Sequence, residues 1–243
     1  MAEVLSVVPA FTPQVAEFHL EHPNAPQDPA LSSTAEDGLK ADVGDFLVVS
    51  PYTSRPHLLD LRPLDISQRL LAGALTVLQP LREDYATAPY AKAFNWDDVV
   101  GELRALAFQS AFSWRRQHFY IVVFRSQVPP STNRIQLGEL DERSHAEATK
   151  SGGLLKYWFG MPDENGMNLA TCEGSFFPSS VSKWLKSLGV WRKQEDARPA
   201  STGPGHKAAM RATISMYSEW RIERLKFEIS DGARTWSIEA WEV

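Results

Sequence analysis

One six-residue run constrains the fold more than any other part of the sequence. Residues 119–124 are all aromatic or β-branched, so this segment has no polar face. Such a run predicts a strand that is buried on both sides in the middle of a sheet. A helix is predicted just before it, because Asn95 is a good N-cap and apolar residues then recur at helical spacing as far as Trp114.

Helical and strand patterns alternate after this run. The first helical pattern ends at Gly152 and Gly153, and glycine most readily adopts the left-handed backbone of a helix C-terminus. The predicted elements after residue 124 are a helix, two strands, a helix and a hairpin: 135–151, 154–159, 169–172, 205–220 and 225–241. This order predicts a single α+β domain over 45–243, with a ferredoxin-like antiparallel sheet and helices on one face.

The other face of such a sheet needs a cover. A second copy of the chain provides it in dimeric α+β barrels, which makes a homodimer one expectation. The first half of this chain is the alternative, since strands are predicted at 46–49 and 58–61 and a helix at 66–78. Residues 1–44 are rich in proline, alanine and serine, which predicts an extended or disordered arm.

Charge and cysteine content exclude several classes of protein. The formal net charge is −5, whereas nucleic-acid-binding proteins carry a basic surplus that neutralises phosphates. The one cysteine, Cys172, cannot form an internal disulfide, and it suits a reducing compartment. No lysine or arginine precedes Lys40, and the longest apolar run, 70–78, is too short to span a bilayer. We therefore expect a cytoplasmic protein without nucleic-acid or membrane partners.

Several short motifs are similar to those of a known family. The most specific is residues 151–160, Ser-Gly-Gly-Leu-Leu-Lys-Tyr-Trp-Phe-Gly. The others are 89–92, 94–96, 119–125, 168–172, Gly203-Pro204, His206 and Tyr217. Over about 85–241 the chain resembles a fungal protein family without an assigned function. The resemblance implies a fungal origin and cytosolic chemistry, and it assigns no catalytic residue.

The chain departs from this family after Cys172. In the family, Asn-Leu-Ala-Thr-Cys continues directly into an aliphatic residue, tryptophan and arginine, which here are residues 190–192. Residues 173–189 are therefore a 17-residue insertion, and deleting them is expected to leave one continuous strand. A retained intron is one explanation, because the codons at both ends can carry splice signals and the excised length is a whole number of codons. A genuine surface helix over 179–188 is the other.

Two histidines suggest acid–base chemistry. Asp141 and His145 are one helical turn apart, so the carboxylate can orient the imidazole as a general base. His206 opens the last helix, where the helix dipole favours the neutral imidazole, and Tyr217 on the same helix could donate a hydrogen bond to a developing oxyanion. The alternatives are a surface Asp–His pair, and a helix-start histidine with a core tyrosine.

Tyr157 suggests a binding surface. On the predicted strand it alternates with Leu155 and Phe159, while Trp158 faces the other way. A phenol among apolar side chains suits an apolar ligand with a polar end, and ordinary core packing is the alternative. The predicted substrate-binding residues are Tyr157, Trp158, Phe159 and, from the last helix, Met210.

Together these residues predict a function class. The sequence has no phosphate loop, nucleophile elbow, zinc-protease motif or dinucleotide motif, so we expect neither a cofactor nor a metal. The leading expectation is a cofactor-independent enzyme that acts on a small, largely apolar metabolite by proton transfer, as a cyclase, isomerase or lyase does. The alternatives are a non-catalytic small-molecule binding or carrier protein, and a protein-interaction module that uses an open sheet face.

Overall fold

The computed structural model describes residues 43–160, 165–170 and 189–242. The predicted arm lies outside the described residues except at positions 43 and 44. Cys172 and residues 173–188 of the predicted insertion also lie outside them. The helices are α1 Ile66–Ala74, α2 Tyr90–Ala93, α3 Trp96–Gln109, α4 Arg134–Ser151, α5 Gln194–Ala200 and α6 Pro204–Met216. The strands are β1 Phe46–Leu47, β2 Leu59–Asp60, β3 Gln117–Gln127, β4 Leu154–Tyr157, β5 Met167–Ala170, β6 Gly189–Trp191, β7 Glu219–Ile229 and β8 Trp236–Ala240.

An antiparallel sheet of six strands forms the centre of the fold. Its strand order is β4-β6-β3-β7-β8, and β5 pairs with β3 on the same side as β6. The predicted central strand is therefore confirmed: β3 pairs along its whole length with β7 and carries β5 and β6 on its other edge. From β3 to β7 the chain follows the predicted ferredoxin-like α+β plan, with β8 added as an edge strand.

The two faces of β3 belong to two apolar cores. Phe119, Ile121 and Val123 pack in the core that also contains the buried faces of α1 and α3. Tyr120 and Val122 pack in the other core, with alanines of α4 and α5. Helices α1 and α3 from the first half of the chain thus cover the sheet face opposite α4 and α5. Each fully buried large side chain on β3 stabilises the fold by roughly 2 kcal/mol.

Tertiary contacts account for two differences from the predicted helix ends. The last helix ends at Met216 and not at residue 220, because β7 already begins at Glu219, which pairs with Gln127. Asn95 precedes α3 but makes no capping hydrogen bond. Its buried amide instead accepts from Gln79 N at 2.8 Å and donates to Val77 O at 3.0 Å. The glycine end of α4 is confirmed, with Gly152 in the left-handed region at φ 81°.

Candidate functional site

Helix α4 brings the predicted Asp–His pair to the sheet. Asn133 caps its first turn by accepting a hydrogen bond from Gln136 N at 3.1 Å. Further along, Ser144, His145 and Ala148 form the buried face of the helix. His145 is 0% exposed, and Asp141, one turn earlier, is half-buried. The helical spacing therefore placed both side chains on the side of α4 that faces the protein interior.

Asp141 joins three separate parts of the chain. Its Oδ1 accepts a hydrogen bond from the Tyr157 hydroxyl on β4 at 2.5 Å. Its Oδ2 accepts one from the Tyr52 hydroxyl at 2.6 Å. Both distances are typical of strong hydrogen bonds from a hydroxyl to an ionised carboxylate. Asp141 thus connects α4 to the sheet and to the segment around Tyr52 that precedes β2.

A second histidine faces His145. The Nδ1 atoms of His57 and His145 are 2.7 Å apart, so one proton lies between them and one ring donates to the other. His57 Nε2 also lies 3.6 Å from Glu142 Oε1, and the Glu142 side chain is 55% exposed. If His57 Nε2–H points at this carboxylate, His57 Nδ1 is the acceptor and His145 Nδ1 the donor. In that tautomer His145 Nε2 carries a lone pair.

The inner nitrogen of His145 is a buried acceptor in that tautomer. Among the described residues, His145 Nε2 is buried and has no hydrogen-bond partner. Burial is the main cause that lowers the pKa of His145 to about 3, and the nearby imidazoles of His57 and His206 contribute to the same shift. Burial also lowers the pKa of His57, although the carboxylates of Glu142 and Asp141 oppose this shift. At neutral pH both rings are therefore neutral.

The depressed pKa of His145 predicts a loss of stability in acid. Its folded-state pKa, about 3, lies below the ordinary 6.5, so the unfolded chain binds more protons between these values and stability rises with pH there. From pH 7 to pH 5 we expect His145 to account for about 2 kcal/mol of lost unfolding free energy. Urea unfolding at both pH values measures it.

The matched comparison for this prediction is between two histidines. His145→Gln should remove about 2 kcal/mol of the difference between pH 7 and pH 5. His118→Gln changes an exposed histidine and should leave the difference at its wild-type value. Equal pH dependence in wild type and His145→Gln would show that His145 does not stay neutral in the folded protein.

His206 lies at the start of α6, as predicted, and Glu147 of α4 meets it there. The carboxylate accepts hydrogen bonds from Gly205 N at 2.7 Å and His206 N at 2.9 Å, and lies 3.3 Å from His206 Nδ1. Partial burial alone would raise the pKa of Glu147, but these donors outweigh it and lower that pKa. The glycine at 203 permits this approach, because a Cβ there would collide with the Glu147 carboxylate.

The other predicted site residues lie in different parts of the structure. Phe159 packs in the same core as Tyr157, and its ring centroid lies 6.1 Å from that of Tyr157 and 6.0 Å from that of Tyr52. Trp158 packs in the opposite core, edge-on to Tyr85 and Phe94. Met210 is half-buried, one helical turn after His206. Tyr217 follows α6 and packs edge-on against Phe124, roughly 16 Å along the helix from His206. The structure therefore does not bring Tyr217 to the histidines.

The alternation predicted for Tyr157 was partly wrong. Leu155 lies in the core with α1 and α3, whereas Leu154 and Tyr157 lie in the core with α4. The cause is an irregularity in the pairing of β4 with β6, between Leu154 and Lys156. A bulge of this kind inserts one residue and reverses the side on which later side chains lie.

The sequence prediction missed four residues that complete the cluster: Tyr52, His57, Glu142 and Glu147. Tyr52 and His57 come from an irregular segment that ends in a turn of 3-10 helix, Arg55–His57. Such a segment has no periodicity that would predict which side chains face inward. Only the spacing of Glu142 and Glu147 on α4 gave a signal, since both are within one turn of a predicted residue.

Two clefts of substantial volume lie away from this cluster. One of about 550 Å³ is lined by Tyr120, Arg192 and Trp241 among others, and another of about 470 Å³ by Arg104 and Trp114 among others. In residues 43–160, 165–170 and 189–242, no group of three or more histidine, cysteine or carboxylate side chains is arranged to hold a metal ion. None of the helices within these ranges is long and apolar enough to cross a membrane.

Comparison with known proteins places the chain in a family. The model of the family described as PB2B2.08-like matches residues 48–174 and 184–240. The chain belongs to the PB2B2.08-like family. A relative from Schizosaccharomyces pombe, UPF0643 protein PB2B2.08, is 34% identical over 198 residues, which cover 79% of this chain and 82% of that relative. A solved structure from Nitrosomonas europaea, described as an antibiotic biosynthesis monooxygenase, is 8% identical with a TM-score of 0.32, over 44% of this chain and 94% of that one.

The PB2B2.08-like match includes the whole polar cluster. Tyr52, His57, Asp141, His145 and Tyr157 lie in its first range, 48–174. His206 lies in its second range, 184–240. The residues between these ranges, 175–183, fall inside the predicted insertion.

Proposed function

We propose that this protein is a cofactor-independent enzyme that moves a proton on a small, largely apolar metabolite, as a cyclase, isomerase or lyase does. The observation that supports it best is the contact of 2.7 Å between the Nδ1 atoms of His57 and His145. Two neutral imidazoles in series, with a carboxylate at the outer end, form a path for a proton. A cytoplasmic location belongs to the same proposal, because the single cysteine suits a reducing compartment.

The proposed mechanism uses His145 Nε2 as the base. This nitrogen takes a proton from the substrate, and the Nδ1 proton of His145 passes to His57 Nδ1. The Nε2 proton of His57 then passes to Glu142, whose half-exposed side chain can exchange it with water. One proton enters and one leaves, so neither histidine accumulates charge. The reverse path returns a proton to another atom of the substrate, which completes an isomerisation.

Asp141 and the two tyrosines position this base. The Tyr157 ring packs edge-on against His145, with ring centroids 4.4 Å apart. The Tyr52 ring lies 4.8 Å from that of His57 and 5.2 Å from that of His145. Because Asp141 holds both hydroxyls, it fixes the orientation of both aromatic walls. We therefore assign Asp141 as a positioning residue, and Tyr157 and Phe159 as the apolar contacts of the substrate.

Entry to His145 requires movement of the segment that carries Tyr52 and His57. Residues 53–56 of this segment are exposed, whereas His57 is buried and Tyr52 half-buried. At one end the segment is attached to β4 by the hydrogen bond from Tyr157 N to Val49 O. A loop of this kind can open and close on the microsecond to millisecond timescale of enzyme turnover.

The proposal predicts deuterium transfer from solvent to one metabolite. The protein is incubated in D2O with a small-molecule extract of Schizosaccharomyces pombe, and every metabolite is followed by mass spectrometry. Wild type should increase the deuterium content or change the amount of at least one compound. His145→Gln, which cannot accept the proton, should lower that rate by a factor of about 100 or more.

Two further variants, one control and one at the positioning residue, accompany this experiment. Thr53→Ala alters an exposed residue of the same segment and should keep the wild-type rate. Asp141→Asn keeps a group of similar size but weakens both tyrosine contacts, so it should lower the rate by about tenfold. If wild type and His145→Gln give identical metabolite profiles while both are folded, proton-transfer catalysis at this site is refuted.

The second candidate function is that of a non-catalytic small-molecule binding protein. The cleft of about 550 Å³ favours it, because this volume suits a metabolite and Tyr120 and Trp241 supply aromatic contacts. The same experiment distinguishes the two, since a binding protein would retain a metabolite without deuterium incorporation. The interaction-module alternative relied on an open sheet face, and α1 and α3 cover that face.

A further inference from the structure

A second cleft, about 470 Å³ in volume, lies at the end of the sheet where β3 begins. Three parts of the chain form it: the last turns of α3, the connection from α3 to β3, and the turn between β7 and β8. Its lining residues include Arg104, Phe108, Phe112, Trp114, Arg115 and Arg234. None of the lining residues belongs to α4, so the cleft is separate from the histidine cluster.

The charge of this cleft is strongly one-sided. Three guanidinium groups, of Arg104, Arg115 and Arg234, line it together with a single carboxylate, that of Asp231. Arg104 donates from Nε and Nη2 to Ala233 O, at 3.1 and 2.9 Å. Asp231 accepts a hydrogen bond from Arg116 N at 3.0 Å. The ion pairs found among the described residues include none of the three arginines, so their charges attract an anion.

Aromatic side chains line the same cleft as these arginines. Phe108, on the last turn of α3, is 86% exposed, which is unusual for a phenylalanine, and Phe112 is half-buried nearby. Trp114 is 3% exposed, and its indole N–H has no hydrogen-bond partner among the described residues. A buried donor without a partner costs stability unless a ligand or water satisfies it. The cleft thus combines positive charge with aromatic surface.

The backbone around the cleft is strained at two alanines. Ala111 and Ala233 have φ values of 49° and 50°, in the left-handed region that non-glycine residues seldom adopt. Each costs about 1 kcal/mol. Hydrogen bonds hold both turns in place, from Phe112 N to Ala107 O at 2.8 Å and from Gly232 N to Trp114 O at 2.9 Å. Strain of this kind is concentrated at ligand sites, where the surrounding structure maintains it.

We propose that this cleft binds a small organic anion, in which a phosphate, sulfonate or carboxylate group is joined to a flat apolar group. The guanidinium groups of Arg115 and Arg234 bind the oxyanion, and Phe108 and Phe112 contact the apolar part. Arg104 holds the turn of the β7–β8 hairpin in position through Ala233 O. The proposal is independent of the histidine cluster, since none of its residues belongs to α4.

Phenyl phosphate is the probe that tests this site. Isothermal titration calorimetry on the full chain should show saturable binding with a stoichiometry of one. Arg115→Gln and Arg234→Gln should each weaken it by roughly tenfold or more, because each removes a charged donor to the oxyanion. Phe108→Ser should weaken phenyl phosphate but leave inorganic phosphate unchanged. Benzyl alcohol, which lacks the charge, should not bind measurably.

The matched control is the neighbouring arginine. Arg116 is exposed, carries the same charge, and lies 3.5 Å from Glu228, outside this cleft. Arg116→Gln should bind phenyl phosphate as wild type does. Equal weakening by Arg116→Gln and Arg115→Gln would show attraction by overall charge alone and would overturn the site. The absence of saturable binding by a folded wild type would overturn it as well.

Discussion

Deletion of residues 173–189 should give a folded protein with the same sheet, whereas deletion of 173–188 should not fold to it. The reason lies in the register of β3. In every pair between β3 and β5 the two residue numbers add up to 294, as they do for Phe124 and Ala170. In every pair between β3 and β6 they add up to 311, as they do for Ile121 and Val190. The difference of 17 equals the length of the predicted insertion. Removing that number of residues therefore makes β5 and β6 one strand in a single register.

A change of one residue would invert the second half of that strand. Val190 and Trp191 are both fully buried, Val190 in the core with α1 and α3 and Trp191 in the core with α4 and α5. A 16-residue deletion shifts the register by one and exchanges these positions. Loss of the Trp191 packing alone costs roughly 3–5 kcal/mol. The in-register deletion shortens a connection and should gain roughly 1 kcal/mol of chain entropy.

Two in-register variants make the test sharper. Deleting 173–189 puts Cys172 where Gly189 now lies, and a Cβ there would collide with Trp191 and Leu154 side-chain atoms. Deleting 172–188 keeps Gly189 and avoids the collision, so it should be the more stable of the two. Urea unfolding followed by tryptophan fluorescence measures all three variants. A 16-residue deletion as stable as both others would refute the common register.

The register result is separate from the origin of the segment. A retained intron and a genuine insertion both leave the same pairing on β3. Amplification of the transcript from the source organism decides between them. A single product that retains the codons for 173–189 would refute the intron hypothesis and leave the deletion result unchanged.

Local sequence patterns predicted the structure correctly where residues close in sequence determine it. The run at 119–124 became β3 because a segment without a polar face is stable only between two layers. The spacing of Asp141 and His145 placed both on the inner side of α4, since helical periodicity decides this. The fold class followed from the order of such elements, because few topologies connect them without crossing.

The same local patterns did not predict contacts between residues distant in sequence. His57 meets His145 across 88 positions of sequence, and no periodicity in its turn indicates that it faces inward. The position of Leu155 depends on an irregularity in pairing with β6, which is a property of two strands and not of one. Asn95 resembled a helix cap, but its amide makes stronger contacts with the 77–79 backbone. In each case a contact with residues distant in sequence decided the structure.

Replacement of Arg125, the one Arg, Lys, Asp or Glu residue of β3, should be strongly destabilising. Arg125 is 2% exposed, and its Nε donates to Glu223 Oε1 at 2.7 Å. Its Nη1 and Nη2 atoms donate to three backbone carbonyls of the segment before α2, those of Tyr85, Ala86 and Ala88, at 3.1, 2.5 and 2.8 Å. Arg125→Met leaves these carbonyls and the carboxylate without their donor, which should cost roughly 3–5 kcal/mol.

The geometry of the guanidinium, and not its charge alone, should account for most of this effect. Arg125→Lys keeps the charge but replaces a planar fork of donors with one ammonium group, which cannot reach carbonyls in several directions. It should therefore lose roughly 2 kcal/mol or more. The matched control is Arg221, which pairs with Arg125 across β3 and β7 and lies 3.3 Å from the same Glu223, but is exposed. Arg221→Met should cost less than about 1 kcal/mol. Urea unfolding at neutral pH measures all three variants, and comparable losses for Arg125→Met and Arg221→Met would contradict the assignment, because burial would then make no difference.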